Sequence, residues 1–168
     1  MNTPTTEHGT PEKANRVTQL VDAYGDILFD LCETVLWSQT GALTAFRAIL
    51  RDLRRKASSN LYGEYERAWV LKIAYGKLQS LSARHGRRLT PSEQIALNAS
   101  TNVPARFKEF DSFFHRLNVD DQVLLLLRDK YGLPYNEIAA AMGIPEGSLK
   151  IRRQQALRML EEWLWDKT

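Results

Sequence analysis

The sequence predicts an all-α protein built as two small helical domains joined by a linker. Three observations lead there. From Val17 onward apolar residues recur at three- and four-residue intervals, the period of an amphipathic helix, and no stretch alternates as a strand would. A weakly patterned segment with Pro91, Asn98, Ser100, Asn102 and Pro104 interrupts that period and separates two helical groups. In the last third, Gly132, Pro134 and Gly143 cut the second group into short helices.

In chain order, residues 1–15 are rich in Thr, Pro, Glu and Asn without periodicity and read as a disordered tail. The first domain spans 16–88. Its first helix is patterned by Val17, Leu20, Val21, Tyr24, Ile27, Leu28, Leu31 and Val35, with Asp22, Asp26 and Asp30 on the opposite side. After a turn at 38–41, a second helix runs from Thr40 to Lys56 through Ala42, Phe46, Ile49, Leu50 and Leu53, its arginines facing out. A loop at 58–63 leads to a third helix from about Glu64 to His85. Its apolar side is Trp69, Val70, Ile73, Ala74, Leu78 and Leu81, and Gly76 lies inside it. Residues 89–104 are the linker, with a short helix expected from Ser92 to Leu97. The second domain spans 105–168 and opens with Phe107, Phe110, Phe113, Phe114 and Leu117.

The stretch from Asp120 to Trp163 carries the most specific pattern. Val123 to Leu127 are five consecutive apolar residues, so that helix is buried on most of its circumference. Pro134 suits the first turn of the next helix, where a missing N–H costs nothing. Ile138, Ala139 and Met142 give it a narrow stripe. Gly143 follows as a left-handed turn residue, and Ser148 caps a helix starting at Leu149. Ala139, Gly143 and Leu149 have the spacing of a helix-turn-helix. Its second helix offers Ser148, Lys150, Ile151, Arg152, Gln154 and Gln155 on its first turns. Lysine and arginine hold phosphates, and arginine and glutamine read base edges in a major groove.

Charge placement agrees. The chain has 168 residues with 23 Lys+Arg against 20 Asp+Glu, a net charge of only +3. Arg47 to Arg88, however, holds eleven basic residues and three acids, and Ser148 to Arg158 holds four basic residues and none. Thr101 to Gly147 has five basic residues and seven acids. Two basic patches point to a polyanion touched at two places.

Other classes find little support. No apolar run approaches the roughly 20 residues of a membrane span, and Met1 to Arg16 lacks the order of a secretory signal. A cytoplasmic protein without membrane insertion is expected. Cys32 is the single cysteine, so no disulfide framework and no cysteine-based metal site arise. His8, His85 and His115 are scattered, with no triad or metal spacing, and no glycine-rich phosphate loop occurs. No catalysis, cofactor or metal is expected.

At this point the residues resemble a known family. Asp121-Gln122-Val123 through Leu160, with Leu133-Pro134-Tyr135-Asn136-Glu137-Ile138-Ala139 and Gly143-Ile144-Pro145-Glu146-Gly147-Ser148-Leu149-Lys150, resemble region four of a bacterial sigma factor of the small extracytoplasmic-function (ECF) class. Leu20 to Leu36 resembles the first helix of region two. Ala68-Trp69-Val70-Leu71-Lys72-Ile73-Ala74, followed by Arg87-Arg88, resembles its last long helix. The resemblance implies promoter DNA, core RNA polymerase and an anti-sigma factor as partners. It places Ser148, Lys150, Ile151, Arg152, Arg153, Gln154, Gln155 and Arg158 on a −35-like element. It places Tyr62, Tyr65, Lys72, Lys77, Arg84, Arg87 and Arg88 on a −10-like element, with Tyr75 among the aromatics near the strand-opening segment.

One departure concerns the second helix, on which the family carries an acidic, glutamine-containing polymerase-binding motif. Here it reads Thr44-Ala45-Phe46-Arg47-Ala48-Ile49-Leu50. The surface expected to meet polymerase, or another partner, is therefore Thr44, Arg47, Ala48, Arg51 and Arg54. The missing acids motivate a competing reading: a sigma-like DNA-binding regulator or partner-binding protein that does not drive initiation.

Overall fold

The computed structural model describes residues 11–57, 66–84 and 113–166, and no strand occurs among them. The first helix, α1, runs from Pro11 to Leu36. It starts earlier than the sequence pattern indicates, so residues 11–15, assigned to the tail, are helical. Proline at the first helical position forfeits no hydrogen bond and has its φ preset. One stripe of α1 is buried: Leu20, Ile27, Leu28, Leu31, Cys32, Val35 and Leu36. Burial pushes the Cys32 thiol up to about 12, which leaves an inert packing residue.

Trp37 ends α1 with φ 50, a left-handed conformation uncommon for a bulky residue. Its ring stacks on His115 at 3.9 Å between centroids, fastening this turn to the C-terminal half. Helix α2, Gln39–Lys56, is capped by Ser38, whose Oγ accepts from the Gly41 N–H at 3.2 Å. It buries Ala42, Ala45, Ile49 and Leu53 and ends on Arg54, Arg55 and Lys56, which suit the negative end of the helix dipole.

Helix α3, Glu66–Arg84, departs from the expected single stripe. Val70, Ala74 and Leu78 are buried as expected. Ala68, Leu71 and Tyr75, a second stripe at i, i+3 and i+7, are buried too. Trp69, Ile73 and Leu81 pack against the core half-buried. The reason is tertiary: α3 lies against α1 and α2 and also against the C-terminal helices.

The C-terminal half begins with α4, Val119–Leu125, capped by Asn118, whose Oδ1 accepts from the Asp121 N–H at 2.9 Å. It runs into a π-helical turn, Leu126–Lys130. There the Tyr131 N–H reaches back to the Leu126 carbonyl at 3.2 Å and the Leu133 N–H to the Leu127 carbonyl at 3.0 Å. Gly132, at φ 67, closes the widened turn in the left-handed region open to glycine. Val123 to Leu127 are all buried, as their unbroken apolar run requires.

Helix α5, Tyr135–Met142, and helix α6, Glu146–Asp166, form the helix-turn-helix. Pro134 is the cap before α5, one position outside the helix, and its carbonyl accepts from the Glu137 and Ile138 N–H groups. Ser148 is not the cap of the last helix. The Leu149 N–H bonds to the Pro145 carbonyl at 3.0 Å, so α6 starts at Glu146 and Ser148 lies exposed within its first turn.

One continuous apolar core joins the two halves, from Leu28 and Leu78 to Leu124, Leu127, Ile138 and Leu149. A smaller cluster of Leu117, Leu125, Ala156 and Leu160 lies within the C-terminal half, beside Phe113, which stacks on Trp163 at 4.7 Å. Polar pairs also cross between halves. Arg67 on α3 grips Glu137 on α5 through two hydrogen bonds of 2.7 Å. Asp30 on α1 accepts from Lys130 at 2.5 Å and from the Tyr131 hydroxyl at 2.6 Å. Tyr75 on α3 donates to Asp120 on α4.

Candidate nucleic-acid interface

Helix α6 presents its candidate residues by register. Leu149, Ala156 and Leu160 face inward and are buried. Ser148, Lys150, Ile151, Gln154, Gln155 and Arg158 are exposed. Ile151 is 57% exposed, an open apolar side chain between polar ones that suits contact with a thymine methyl group. Gly143, at φ 66, sets the turn that aims this face outward, and its N–H closes α5 on the Ala139 carbonyl at 2.9 Å. Tyr135 supports the start of the helix, with the Lys150 ammonium 5.5 Å and the Arg128 guanidinium 4.4 Å from its ring centroid.

The two central arginines are placed differently. Arg152 donates through Nε to Asp121 at 3.0 Å and through an NH2 group to Asn118 at 3.3 Å, with Asp120 at 3.5 Å. Arg153 stands four residues after Leu149, on the inward register. Its stem lies half-buried and its head forms hydrogen bonds of 2.5–3.2 Å with Asp129, not with open solvent. That partner holds the guanidinium well above the ordinary arginine range. Both groups strap α6 to α4 and the π-helical turn. The signal for this was present in the acid-rich 101–147 segment, which faces the basic ones.

On the N-terminal half, α2 exposes Thr44, Arg47, Arg51 and Arg54, with Ala48 half-buried beside them. This is one continuous basic face opposite Ala45, Ile49 and Leu53. Among the −10-like candidates, Lys72 is exposed and Lys77 pairs with Asp52 at 3.0 Å. Burial opposes charge on Asp52, but its bonds to Lys77 and Arg55 prevail and hold the carboxyl below the ordinary range. A groove of about 430 Å³ between α2 and α3 brings Lys72 and Lys77 together with Trp69, Gly76 and Lys56. Arg84 is the last residue of α3. Tyr62, Tyr65, Arg87 and Arg88 lie outside the described residues, as does the linker at 89–104 with its expected helix. Tyr75 does not stand ready to stack on a base: it is 7% exposed and its hydroxyl is held by Asp120.

With this geometry in view, residues 107–160 match the family model for sigma-70 region 4. Residues 107–160 are thus similar to sigma-70 region 4. Its fold is similar to that of the sigma factor RpoE from Bartonella quintana, solved in complex with the anti-sigma factor NepR. The TM-score is 0.69 at 20% identity, over 88% of this chain and 95% of that one. No curated protein matches the sequence. Among the described residues no helix is long and apolar enough to cross a membrane, and no group of three or more side chains is placed to hold a metal ion.

Proposed function

We propose that this protein is a sigma factor of the sigma-70 family, of the ECF type, that binds core RNA polymerase and directs promoter-specific initiation. The observation that carries the reading is the region 4 helix-turn-helix with an exposed, acid-poor face on α6. In this reading Lys150 and Arg158 hold phosphates, Ile151, Gln154 and Gln155 touch bases of a −35-like element, and Arg152 and Arg153 position the helix. Lys72, Lys77 and the groove beside Trp69 face a −10-like element. DNA opening draws on binding energy, so no catalytic side chain is invoked. An anti-sigma factor is a further partner, as for the similarly folded RpoE.

The basic face of α2 favours a second reading, a regulator that binds DNA or another protein without driving initiation. One experiment separates the two. Purified protein is mixed with core polymerase and assayed for co-elution and for transcription from promoter libraries. A complex that initiates selectively supports the sigma factor. Specific DNA binding with no polymerase complex at micromolar concentration selects the regulator.

A further inference from the structure

We propose that one face of α2 is a docking surface for an acidic amphipathic helix of a partner protein, whose carboxylates meet Arg47, Arg51 and Arg54 and whose apolar side chain covers Leu43. The inference holds whether or not the chain drives initiation, because this face belongs neither to the helix-turn-helix nor to the groove beside Trp69.

The first argument is geometry. Leu43, Arg47, Arg51 and Arg54 recur at spacings of four, four and three residues. They form one straight seam, about 16 Å long, on the side of α2 opposite Ala42, Ala45, Ile49 and Leu53. A second helix packs along such a seam, and carboxylates at the same intervals on it fall in step with the arginines. Ala48 lies half-buried beside the seam, where its small side chain lets another backbone approach. The second argument is charge. The three guanidinium groups make no ion pair among the described residues, whereas Arg16, Arg67, Arg152 and Arg153 each meet a carboxylate. Asp52, the one acid on α2, is engaged by Lys77 at 3.0 Å and by Arg55. Arg47 and Arg51 stand one turn apart, a like-charge pair that disfavours the helix until opposite charge arrives. The third argument separates protein from nucleic acid. Leu43 is 41% exposed at the head of the seam, an apolar group for which a phosphate backbone has no counterpart. Every cation of the seam is arginine, whose planar fork pairs bidentately with carboxylates and which, unlike lysine, is enriched in protein interfaces. Thr44 adds no competing donor, since its hydroxyl is given to the Thr40 carbonyl at 2.9 Å.

The test uses the full chain and a fluorescein-labelled synthetic helix of about 20 residues, long enough to hold its fold in water. One leucine and, after it, glutamates at four- and three-residue intervals line its binding side. Two control peptides carry glutamine in place of glutamate, or the same glutamates scattered around the helix at equal charge. Fluorescence polarisation should give binding roughly tenfold or more tighter for the ordered acidic peptide than for either control. Arg47→Ala, Arg51→Ala and Arg54→Ala together should weaken that complex by roughly tenfold or more, with the fold intact by circular dichroism. Arg51→Glu should lose binding, and within a set of peptides that each carry arginine at one glutamate position, one should restore it. Equal binding of ordered and scattered peptides would overturn the docking site, since charge alone would then suffice. So would a triple variant that keeps its peptide affinity. A random-sequence DNA duplex bound more tightly than the peptide, and lost with the triple variant, would make the seam a nucleic-acid surface instead. A dimer by light scattering that the triple variant abolishes would make the occupant a second copy. Co-elution with core polymerase is scored separately, so the docking site and the sigma-factor reading fail by different results.

Discussion

On α2, Arg47, Arg51 and Arg54 stand exposed, and none forms an ion pair among the described residues. On α6, Arg152 and Arg153 carry the same formal charge but are held by Asp121 and Asp129, on α4 and the π-helical turn, with side chains 31% exposed. The difference shows that a count of basic residues is not a measure of charge available to a partner. An exposed arginine keeps its five donors for DNA or protein. A strapped arginine spends them on its own fold, and orients the exposed residues beside it. Both basic blocks mix the two kinds: Arg67 and Lys77 in the first are paired with carboxylates, and Lys150 and Arg158 in the second are exposed.

The largest expected effect tests the open side of this comparison. Replacing Arg47, Arg51 and Arg54 together with alanine should weaken the chain's complex with the partner that the basic face of α2 fits by roughly 10- to 100-fold. Thermal stability should hardly move, because exposed unpaired side chains each contribute within about 0.5 kcal/mol. Titration and calorimetry on one preparation measure both. A large loss of melting temperature with unchanged affinity would reverse the assignment.

The strapped side is expected to show the opposite. Arg152→Ala should cost about 1–2 kcal/mol of stability in urea unfolding, since it removes the hydrogen bond and ion pair that hold α6 to Asp121. Arg47→Ala should fall within about 0.5 kcal/mol of the unaltered protein. Equal values for the two would remove the distinction.

A third prediction uses pH. Burial and a hydrogen bond to Asp120 raise the Tyr75 hydroxyl above its ordinary range, and burial with Asp30 raises that of Tyr131 to about 12. A folded value above the unfolded one means stability that is fully present below about pH 10. It is lost as pH rises through the folded values. Melting temperature and the Tyr phenolate absorbance should change together between about pH 10 and 12, and Tyr75→Phe with Tyr131→Phe should flatten that slope.

The smallest effect concerns the helix that both halves share. Gly76 lies exposed within α3, and a Cβ built there meets no atom within 4 Å. Gly76→Ala should add up to about 1 kcal/mol through backbone entropy alone, measured by urea unfolding. A loss would mean that the groove beside Trp69 needs the bare backbone.

Local pattern determined much of this protein. The helical period placed α2 and α3 to within two residues and α1 apart from its first six residues, because each must bury a stripe against something. The unbroken Val123–Leu127 run specified a helix buried all round, and Gly143 specified the left-handed turn. The exposed face of α6 followed from the same register, since Leu149, Ala156 and Leu160 must point inward. What one helix buries against another is not local. The second stripe on α3, Ala68, Leu71 and Tyr75, acquires meaning only once α4 and α5 lie across it. The same contact turns Tyr75 from an open aromatic into a hydrogen-bonded one. The partners of Arg152 and Arg153 lie 24 to 34 residues upstream, beyond any helical period, so only the tertiary structure decided which arginines are free and which are strapped.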